Sequence, residues 1–272
     1  MTPRVSVVIP THMRPDLVAR AVRSALAQSV TNIEVIVTVD GRDKPTCAAL
    51  QSVADKRLVI HVPERRLGNA DARNAGVALA RAEWVAFLDD DDEWLPQKLE
   101  AQLRMAESGT HAHPMVTCRL IARDEDGERI WPRRLPRDGE PLSEYFFCRT
   151  SPFTGEGMVI NSGILTSREL AVRVPFRSGL ERHVDPDWML RAARVPGAAL
   201  VFVTETDPLV IWHVEKHRQR ITTRPDWMQS LDYCSRNRDL FTPRGYAAFV
   251  LHVVGSSAAA QGKTPAFTRL LR

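Results

Sequence analysis

The sequence has few cysteines, no long apolar run and almost no excess of charge. Its four cysteines are scattered along the chain and form no C-x-x-C pair: Cys47, Cys118, Cys148 and Cys234. They exclude a disulfide-rich secreted domain and a zinc-finger type of site, so we expect reduced thiols in a cytoplasmic protein. No stretch reaches the roughly 18 consecutive apolar residues of a membrane-spanning helix, and the start of the chain lacks a signal-peptide pattern.

The charge balance argues against nucleic acid as the main partner. The 272 residues carry 37 Lys and Arg against 33 Asp and Glu, a net charge of +4, without a basic arm. A nucleic-acid-binding domain normally has a clustered basic surface instead. With 44% apolar residues, the chain is long enough for one or two domains with a sizeable core.

The first hundred residues alternate between strand and helix patterns. Strands are predicted at 5–9, 33–39, 58–62 and 84–88, and helices at 17–28, 46–54 and 68–80. This alternation predicts an α/β fold, with a mostly parallel sheet and helices on both faces. Such sheets bind ligands at the carboxyl ends of their strands. The first candidates for a site are therefore the polar residues that follow the strands: Thr11, Arg14, Asp40 and Asp89 to Asp92.

The second half of the chain has weaker patterns and neither a repeat nor a clear linker. Strands are predicted at 115–122, 128–131, 157–165, 198–203 and 209–213, with a turn at 124–127 and a surface loop at 132–141. Helices are predicted at 186–194, 225–238 and 242–260. We expect one compact unit in which the second half builds on the first.

Four adjacent carboxylates, Asp89 to Asp92, follow the predicted strand at 84–88. Like charges this close cost stability unless a cation neutralises them, and Mg²⁺ and Mn²⁺ prefer oxygen ligands. The alternative is a solvated acidic loop whose last members cap the helix beginning near Pro96. The position at the carboxyl end of a strand favours a site for Mg²⁺ or Mn²⁺.

Four other polar residues each allow two interpretations. Asp40 can accept the N3–H of uracil or thymine, or it can be an Asp-Gly turn residue. The guanidinium of Arg73 can bind a diphosphate, or it can lie on a solvated helix face. Asp185 can be a general base, or a helix N-cap with Pro186 at the first helical position. Asn161 can face an acceptor, or it can cap a turn.

Two other classes of nucleotide-dependent enzyme fit the sequence poorly. A nucleotidyltransferase needs a glycine-rich turn after its first strand, so that backbone amides can hold a triphosphate. Residues 10–15 contain no glycine. A nicotinamide-dependent dehydrogenase is excluded for a similar reason, because G-x-G-x-x-G is missing at the same place.

Together these motifs resemble the family 2 glycosyltransferases, which have the GT-A fold. The resemblance rests on four segments: Val5 to Arg14, Asp40-Gly41, Gly68 to Gly76, and Phe87 to Leu99. The last segment is the most specific, because Trp94, Pro96 and Leu99 follow the acidic run at the family's spacing. The match is strong over 4–107 and weaker at 181–194. It departs from the family where Val39 and Val184, rather than a second carboxylate, precede Asp40 and Asp185.

The resemblance implies a role for each candidate residue. Pro10, Thr11 and Asp40 would line the nucleotide base pocket, and Arg14 and Arg73 would contact the nucleotide or its phosphates. Asp89 and Asp90 would contact ribose or phosphate, and Asp91 would bind the metal, with Asp89 and His213 as further ligands. Asp185 would be the catalytic base, with Asp187 as the substitute. His213 ends the last predicted strand and Arg220 follows it, in a region where such enzymes often close on the diphosphate; the alternative is a solvated basic surface.

The resemblance implies an enzyme that moves a sugar from a nucleotide-sugar donor to a hydroxyl of a glycan or glycolipid acceptor, with inversion. Because Asp40 favours a uracil or thymine base, we expect a UDP-sugar first and a dTDP-sugar second. Residues 1–107 would bind the donor, 108–224 would form the acceptor half of the same domain, and 225–272 would add helices. Synthesis of bacterial surface polysaccharide or glycoconjugate, with peripheral contact at the inner face of the membrane, is our hypothesis. A catalytically inactive sugar-nucleotide-binding module is the alternative.

Overall fold

The computed structural model describes residues 2–151, 156–204, 207–214 and 226–262. Its strands are β1 (Val5–Thr11), β2 (Ile33–Val39), β3 (Leu58–His61), β4 (Trp84–Phe87), β5 (Glu93–Trp94), β6 (His113–Thr117), β7 (Leu120–Asp124), β8 (Gly127–Trp131), β9 (Leu165–Ser167), β10 (Ala198–Phe202) and β11 (Val210–His213). Its α-helices are α1 (Pro15–Leu26), α2 (Lys44–Gln51), α3 (Asn69–Leu79), α4 (Lys98–Ser108), α5 (Leu142–Phe147), α6 (Arg168–Arg173), α7 (Val184–Ala192), α8 (Trp227–Arg236), α9 (Pro243–Phe249) and α10 (Ser256–Ala260). The described residues also include 3₁₀ turns at Asn161–Gly163 and Arg238–Leu240 and a π-helix at Val250–Gly255.

A seven-stranded sheet forms the centre of the fold, in the order β10-β6-β9-β4-β1-β2-β3. Its neighbouring strands pair in parallel, except that β9 runs antiparallel to β4 and β6. Every residue of β1, β2 and β4 is buried, as expected for strands covered on both faces. The predicted α/β fold with a mostly parallel sheet is confirmed.

Helices cover both faces of this sheet because alternate residues of a strand point to opposite sides. Val7 belongs to the same apolar cluster as Val22 of α1, whereas Val8 belongs to a second cluster with Val77 of α3. Gly76 allows α3 to approach the sheet closely, since a Cβ there would lie 2.5 Å from Val8 Cγ1. The loops that leave β1, β2 and β4 therefore start from a densely packed core.

A second sheet has the order β5-β11-β7-β8. Strands β7 and β8 form a hairpin around the turn predicted at 124–127, while β11 pairs with β7 in parallel and with β5 antiparallel. The single strand predicted at 115–122 is wrong, because the chain leaves the first sheet at Thr117 and enters the second at Leu120. A continuous apolar run does not reveal that its two halves are buried in different sheets.

The strand predicted at 157–165 is also wrong over most of its length. Residues Asn161–Gly163 form a 3₁₀ turn, and β9 begins only at Leu165. The side chains of Asn161 and Ser162 bond to carboxylates that are distant in the sequence. These tertiary hydrogen bonds override the local strand pattern. Strand β5 and helices α5 and α6 were not predicted, since elements of two to six residues give little periodicity.

The last helices pack around a third apolar cluster, which includes Phe249. Helix α9 continues through the π-helix into α10, which agrees with the helix predicted at 242–260. Helix α9 lies so close to α5 that a Cβ on Gly245 would lie 2.6 Å from Ser143 Oγ. Among the described residues, the helices are too short or too polar to cross a membrane. The division of the chain at 107 and 224 stays a prediction.

Candidate active site

A cavity of about 720 Å³ opens where β1, β2 and β4 end, beside the first turn of α7. Its lining includes most of the residues singled out from the sequence: Pro10, Thr11, Arg14, Asp40, Arg73, Asp89, Asp90, Asp91 and Asp185. The strand-end position is the one expected for a parallel sheet. The structure therefore brings candidates from both halves of the chain to one place.

The acidic loop after β4 is not a uniformly solvated run of charge. Asp90 and Asp92 are buried, whereas Asp89 and Asp91 are partly exposed. The loop also does not cap α4, because Gln97 occupies the cap position. One carboxylate oxygen each from Asp89, Asp91 and Asp92 lie within 4.8 Å of one another. An all-oxygen set of this kind fits a hard divalent cation such as Mg²⁺ or Mn²⁺.

Asp90 joins the loop after β1 to the loop after β4. Its Oδ2 accepts a hydrogen bond from Thr11 Oγ1 at 2.8 Å, and its Oδ1 accepts one from Arg14 Nη1 at 2.8 Å. Burial raises the pKa of Asp90 to about 6, although the Arg14 charge opposes this shift. Through their hydrogen bonds to Asp90, Thr11 and Arg14 therefore hold two loops of the cavity together.

Arg73 lies on α3 and is only 1% exposed. Its Nη2 bonds to Asp89 Oδ1, and its guanidinium carbon lies 5.3 Å from the ring centre of Phe176. Within the described part of the chain, Nε and Nη1 have no hydrogen-bond partner. The interpretation of Arg73 as a solvated helix-face residue is therefore wrong. Because Arg73 also lines the cavity, its guanidinium can bind an anionic ligand group there.

Asp40 anchors the segment that enters α3. The backbone amides of Leu67 and Gly68 donate to its two carboxylate oxygens at 2.5 and 3.0 Å, and Arg66 Nε lies 3.6 Å from Oδ2. Gly68 has a φ of 88°, which favours glycine. Asp40 is therefore more than a turn residue, because it fixes the cavity wall. Each carboxylate oxygen has a second lone pair with which to accept from a ligand.

Asp185 is the second residue of α7, which begins two residues earlier than predicted. His183 occupies the N-cap position in a left-handed conformation. The carboxylate of Asp185 instead accepts from the backbone N–H of Asn161 at 3.1 Å and from Asn161 Nδ2 at 2.7 Å. The N-cap interpretation is therefore wrong. Burial, followed by the negative charge of Asp89, raises the pKa of Asp185 to about 6, while Arg73 opposes the shift.

Asp187 does not share the surroundings of Asp185. It accepts from Arg191 Nε at 2.8 Å and from the hydroxyl of Tyr233 at 3.3 Å, and Arg177 Nε lies 3.5 Å from it. Its side chain is buried, and it is absent from the described lining of the cavity. The geometry gives no support to Asp187 as a substitute base, because its carboxylate serves a buried ion pair.

The structure does not bring His213 into the carboxylate group after β4. His213 Nε2 lies 2.7 Å from Glu93 Oε1, and Arg20 Nε lies 3.4 Å from the same oxygen. Burial lowers the pKa of His213. A metal-binding role would require the His213–Glu93 pair to open, so the geometry gives that role no support. Arg220 lies outside the described residues.

The sequence did not reveal Ser162 as a site residue, and it left the role of Asn161 undecided. Ser162 Oγ donates to Asp92 and accepts from the backbone N–H of Asp89 at 3.1 Å. Asn161 binds both carboxylate oxygens of Asp185. The triplet Asn-Ser-Gly is rich in turn-forming residues, and that signal would have argued against a strand at this point.

Two solved structures show which fold this is. Staphylococcus aureus TarS 1-349 in complex with UDP-GlcNAc superposes with a TM-score of 0.62 at 15% identity, covering 93% of this chain and 69% of that one. The mannosyltransferase PcManGT from Pyrobaculum calidifontis, in complex with GDP-Man and Mn²⁺, gives 0.64 at 18% identity over 98% and 76%. At these identities the likeness shows the fold alone. The fold is that of the GT-A glycosyltransferases.

The family follows from the sequence comparison. The model of glycosyl transferase family 2 matches residues 6–174, more than half of the chain, so the protein belongs to this family. It is therefore a glycosyltransferase of the hexosyltransferase type. The amylovoran biosynthesis glycosyltransferase AmsB of Erwinia amylovora is 26% identical over 89% of this chain and 82% of its own length. The Escherichia coli glucosyltransferase WfaP is 32% identical, but over only 38% of this chain and 41% of its own length.

Proposed function

We propose that this protein transfers a hexosyl group from a UDP-sugar to a hydroxyl of a glycan or glycolipid acceptor, in bacterial polysaccharide or glycoconjugate synthesis. The observation that carries the proposal is the cavity that Asp185, Arg73 and the acidic loop line together. AmsB is named for amylovoran biosynthesis. The full name of WfaP specifies UDP-Glc as donor and a GlcNAc-diphosphoundecaprenol as acceptor.

Asp91 and Asp89, with Asp92 beside them, are the residues that would hold a divalent cation. Their carboxylate oxygens lie close enough to share one ion, and PcManGT was solved with Mn²⁺. A bound Mg²⁺ or Mn²⁺ would neutralise the negative charge that develops on the departing diphosphate. Arg73, which lines the same cavity, would bind the donor diphosphate next to this ion.

Asp185 is the proposed general base. With a pKa raised to about 6, it is ionised at neutral pH and still basic enough to accept a proton in the transition state. The acceptor oxygen forms its bond to the anomeric carbon while the bond from that carbon to the phosphate oxygen breaks. The acceptor proton moves to Asp185, and the electron pair leaves with the nucleoside diphosphate. A single in-line displacement of this kind inverts the anomeric centre.

Asp40 is the proposed determinant of the nucleotide base. It lines the cavity, and two backbone amides hold its carboxylate in place. A fixed carboxylate can accept the N3–H of uracil or thymine, whereas cytosine has no donor at that position. We therefore expect a UDP-sugar first and a dTDP-sugar second.

A thermal-shift screen of UDP, dTDP, GDP and CDP, with and without Mn²⁺, tests the donor assignment. A ligand that binds the folded state raises the melting temperature by mass action, and we expect the largest rise with UDP and Mn²⁺. A dominant response to GDP would contradict the UDP assignment, and a dominant response to CDP, whose base has no N3–H, would contradict the role of Asp40. Hydrolysis of a UDP-sugar by the native protein and by Asp185→Asn then distinguishes enzyme from binding module. If both are inert while both bind UDP, the inactive-module alternative is correct.

Peripheral contact with a membrane is part of the proposal, because WfaP is named for an undecaprenol-linked acceptor. Met228 on α8 and Leu251 on the π-helix are both more than 60% exposed, and exposed apolar side chains of this kind can enter a lipid surface. Flotation with vesicles that contain anionic lipid tests this point. Protein that stays at the bottom of the gradient would contradict it.

A further inference from the structure

One short 3₁₀ turn contacts both the proposed base and the acidic loop. Asn161 and Ser162 are consecutive residues of this turn, and both are completely buried. Asn161 donates two hydrogen bonds to Asp185 on α7. Ser162 contacts Asp92 and Asp89 in the loop after β4. Two adjacent residues therefore contact the proposed base and the acidic loop, respectively.

We propose that this turn is a positioning element with two separate tasks, an inference that rests on the proposed function. Asn161 orients the carboxylate of the base, and Ser162 orients the loop whose carboxylates would hold the cation. The two residues are positioning residues, because each acts through an aspartate. The loss of either one should therefore damage a different step.

Asn161 restrains Asp185 at two points. Its backbone N–H reaches Oδ2 at 3.1 Å and its Nδ2 reaches Oδ1 at 2.7 Å, so the carboxylate cannot rotate freely about its Cβ–Cγ bond. Each oxygen retains a lone pair that can accept the proton of an acceptor hydroxyl. Among the described residues, the side-chain oxygen of Asn161 has no hydrogen-bond partner. A buried acceptor without a partner costs stability. A functional role is one explanation of such a group.

Ser162 holds the acidic loop at two places. Its hydroxyl donates to the Asp92 carboxylate and accepts from the Asp89 backbone N–H at 3.1 Å. One hydroxyl thus fixes the main chain at the start of the loop and a side chain near its end. Neither contact involves Asp185, so the task of Ser162 is independent of that of Asn161.

The turn is itself anchored from the core. Trp94 Nε1 donates to the Ser162 carbonyl oxygen at 2.7 Å, and Gln102 Nε2 donates to the Gly163 carbonyl oxygen at 2.6 Å. A Cβ on Gly163 would lie 2.9 Å from Thr117 Oγ1, so β6 and the turn are in close contact. The carboxylates are therefore positioned against the packed interior rather than against a free loop.

The experiment compares Asn161→Ala and Ser162→Ala with native protein, and uses Asn237→Ala as a matched control. Asn237 is also a buried asparagine with side-chain hydrogen bonds, to Tyr233 and Arg177, but it is absent from the described cavity lining. Two quantities are measured on each protein. They are kcat and KM for UDP-sugar hydrolysis or transfer, and the Mn²⁺-dependent part of the melting-temperature rise with UDP.

We expect Asn161→Ala to lower kcat at least tenfold while KM for the donor and the Mn²⁺-dependent UDP shift stay within twofold of native. We expect Ser162→Ala to reduce the Mn²⁺-dependent UDP shift by more than half. Asn237→Ala should lower the melting temperature of the ligand-free protein and leave kcat, KM and the Mn²⁺-dependent UDP shift unchanged. Asn161→Ser and Ser162→Cys, which keep a small polar side chain, serve if an alanine variant fails to fold, and each should show the same pattern in weaker form.

The outcomes separate this inference from the proposed function. A folded native protein with neither turnover nor nucleotide binding would overturn the proposed function, and the inference with it. An active native protein whose two turn variants lose kcat and Mn²⁺-dependent binding in parallel would overturn the inference alone. So would a variant of Asn161 that weakens UDP binding and leaves kcat unchanged.

Discussion

Lys98 should make the stability of this protein depend on pH in a way that one substitution removes. The residue is completely buried on α4, where Nζ donates to Gln102 Oε1 at 2.7 Å and lies 3.8 Å from the ring centre of Trp94. Burial lowers the pKa of Lys98 from 10.5 to about 7. The ammonium form is therefore costly in the folded state and not in the unfolded state.

The sign and size of the effect follow from proton linkage. Between pH 7 and about 10 the unfolded state binds a proton at Lys98 that the folded state does not, so the free energy of unfolding rises with pH. The rise approaches about 1.4 kcal/mol for each pH unit above the folded-state pKa. It amounts to roughly 2 kcal/mol from pH 7 to pH 9, because at pH 7 about half of the folded molecules still carry the proton. Below pH 7 the full cost of burying the charge is present, and it disappears as the pH rises through this window.

Lys98→Met replaces the amine with an apolar side chain of similar volume and should abolish this dependence. Apart from Cys118, whose pKa the Lys98 charge lowers, the other titrating groups contribute alike to both proteins, so they cancel when the two free energies of unfolding are subtracted. We expect Lys98→Met to be the more stable protein at pH 7, by about 2 kcal/mol after the lost bond to Gln102 is counted. Native protein should regain that difference by pH 9.

The assay is urea unfolding at pH 7, 8 and 9 for native protein, Lys98→Met and the control Lys56→Met, in which the replaced lysine is exposed. The control should follow the native curve at every pH. A difference between native and Lys98→Met that stays constant from pH 7 to pH 9 would refute the reasoning. It would mean that the bond to Gln102 and the contact with the Trp94 ring keep the ammonium protonated in the core.

Four further predictions concern the site and its support. Asp91→Asn should remove the Mn²⁺-dependent part of the melting-temperature rise with UDP and leave the metal-independent part; an unchanged Mn²⁺ response would place the cation elsewhere. Asp185→Asn should lower kcat by about 10²- to 10⁴-fold. The kcat of the native protein should fall about tenfold per pH unit below pH 6, since protonation of a carboxyl with a pKa of about 6 removes the base. A kcat that does not change between pH 5 and 7 would argue against this role. Asp187→Ala should destabilise the fold by about 2 to 3 kcal/mol, because two arginines lose a buried partner. It should leave the pH dependence of kcat unchanged. A shifted pH profile of kcat would support Asp187 as the base. Gly76→Ala should cost about 1 to 3 kcal/mol in urea unfolding, since its Cβ would lie 2.5 Å from Val8 Cγ1; native stability would show that α3 can move away from the sheet.

Much of the fold of residues 1–107 was predictable from local pattern. The buried strands β1, β2 and β4 consist of apolar runs long enough to identify, and each is followed by the polar residues that line the cavity. A parallel sheet collects such residues at one edge whatever the details of its packing. For this reason Asp40 and the acidic loop could be placed near each other without coordinates.

Other features were beyond local pattern because they depend on which distant groups meet. The run at 115–122 looks like one strand, and only the formation of two sheets divides it between β6 and β7. The alternatives for Asp185 and Asp187 were likewise undecided, since both lie in the first turn of α7. In the folded structure Asp185 bonds to Asn161 at the cavity, whereas Asp187 pairs with Arg177 and Arg191.

The sequence by itself determined the α/β alternation, the strand-end carboxylates and the family, because these depend on residue types at short and regular spacing. Only the tertiary structure decided which carboxylates are held, by which donors and in which state of protonation. Arg73 shows the reason: its position on α3 is local information, but its burial against Phe176 and Asp89 exists only once the chain has folded. Burial and proximity, which set the pKa of Asp185 and the pairing of Asp89, are properties of the assembled cavity and of no single segment.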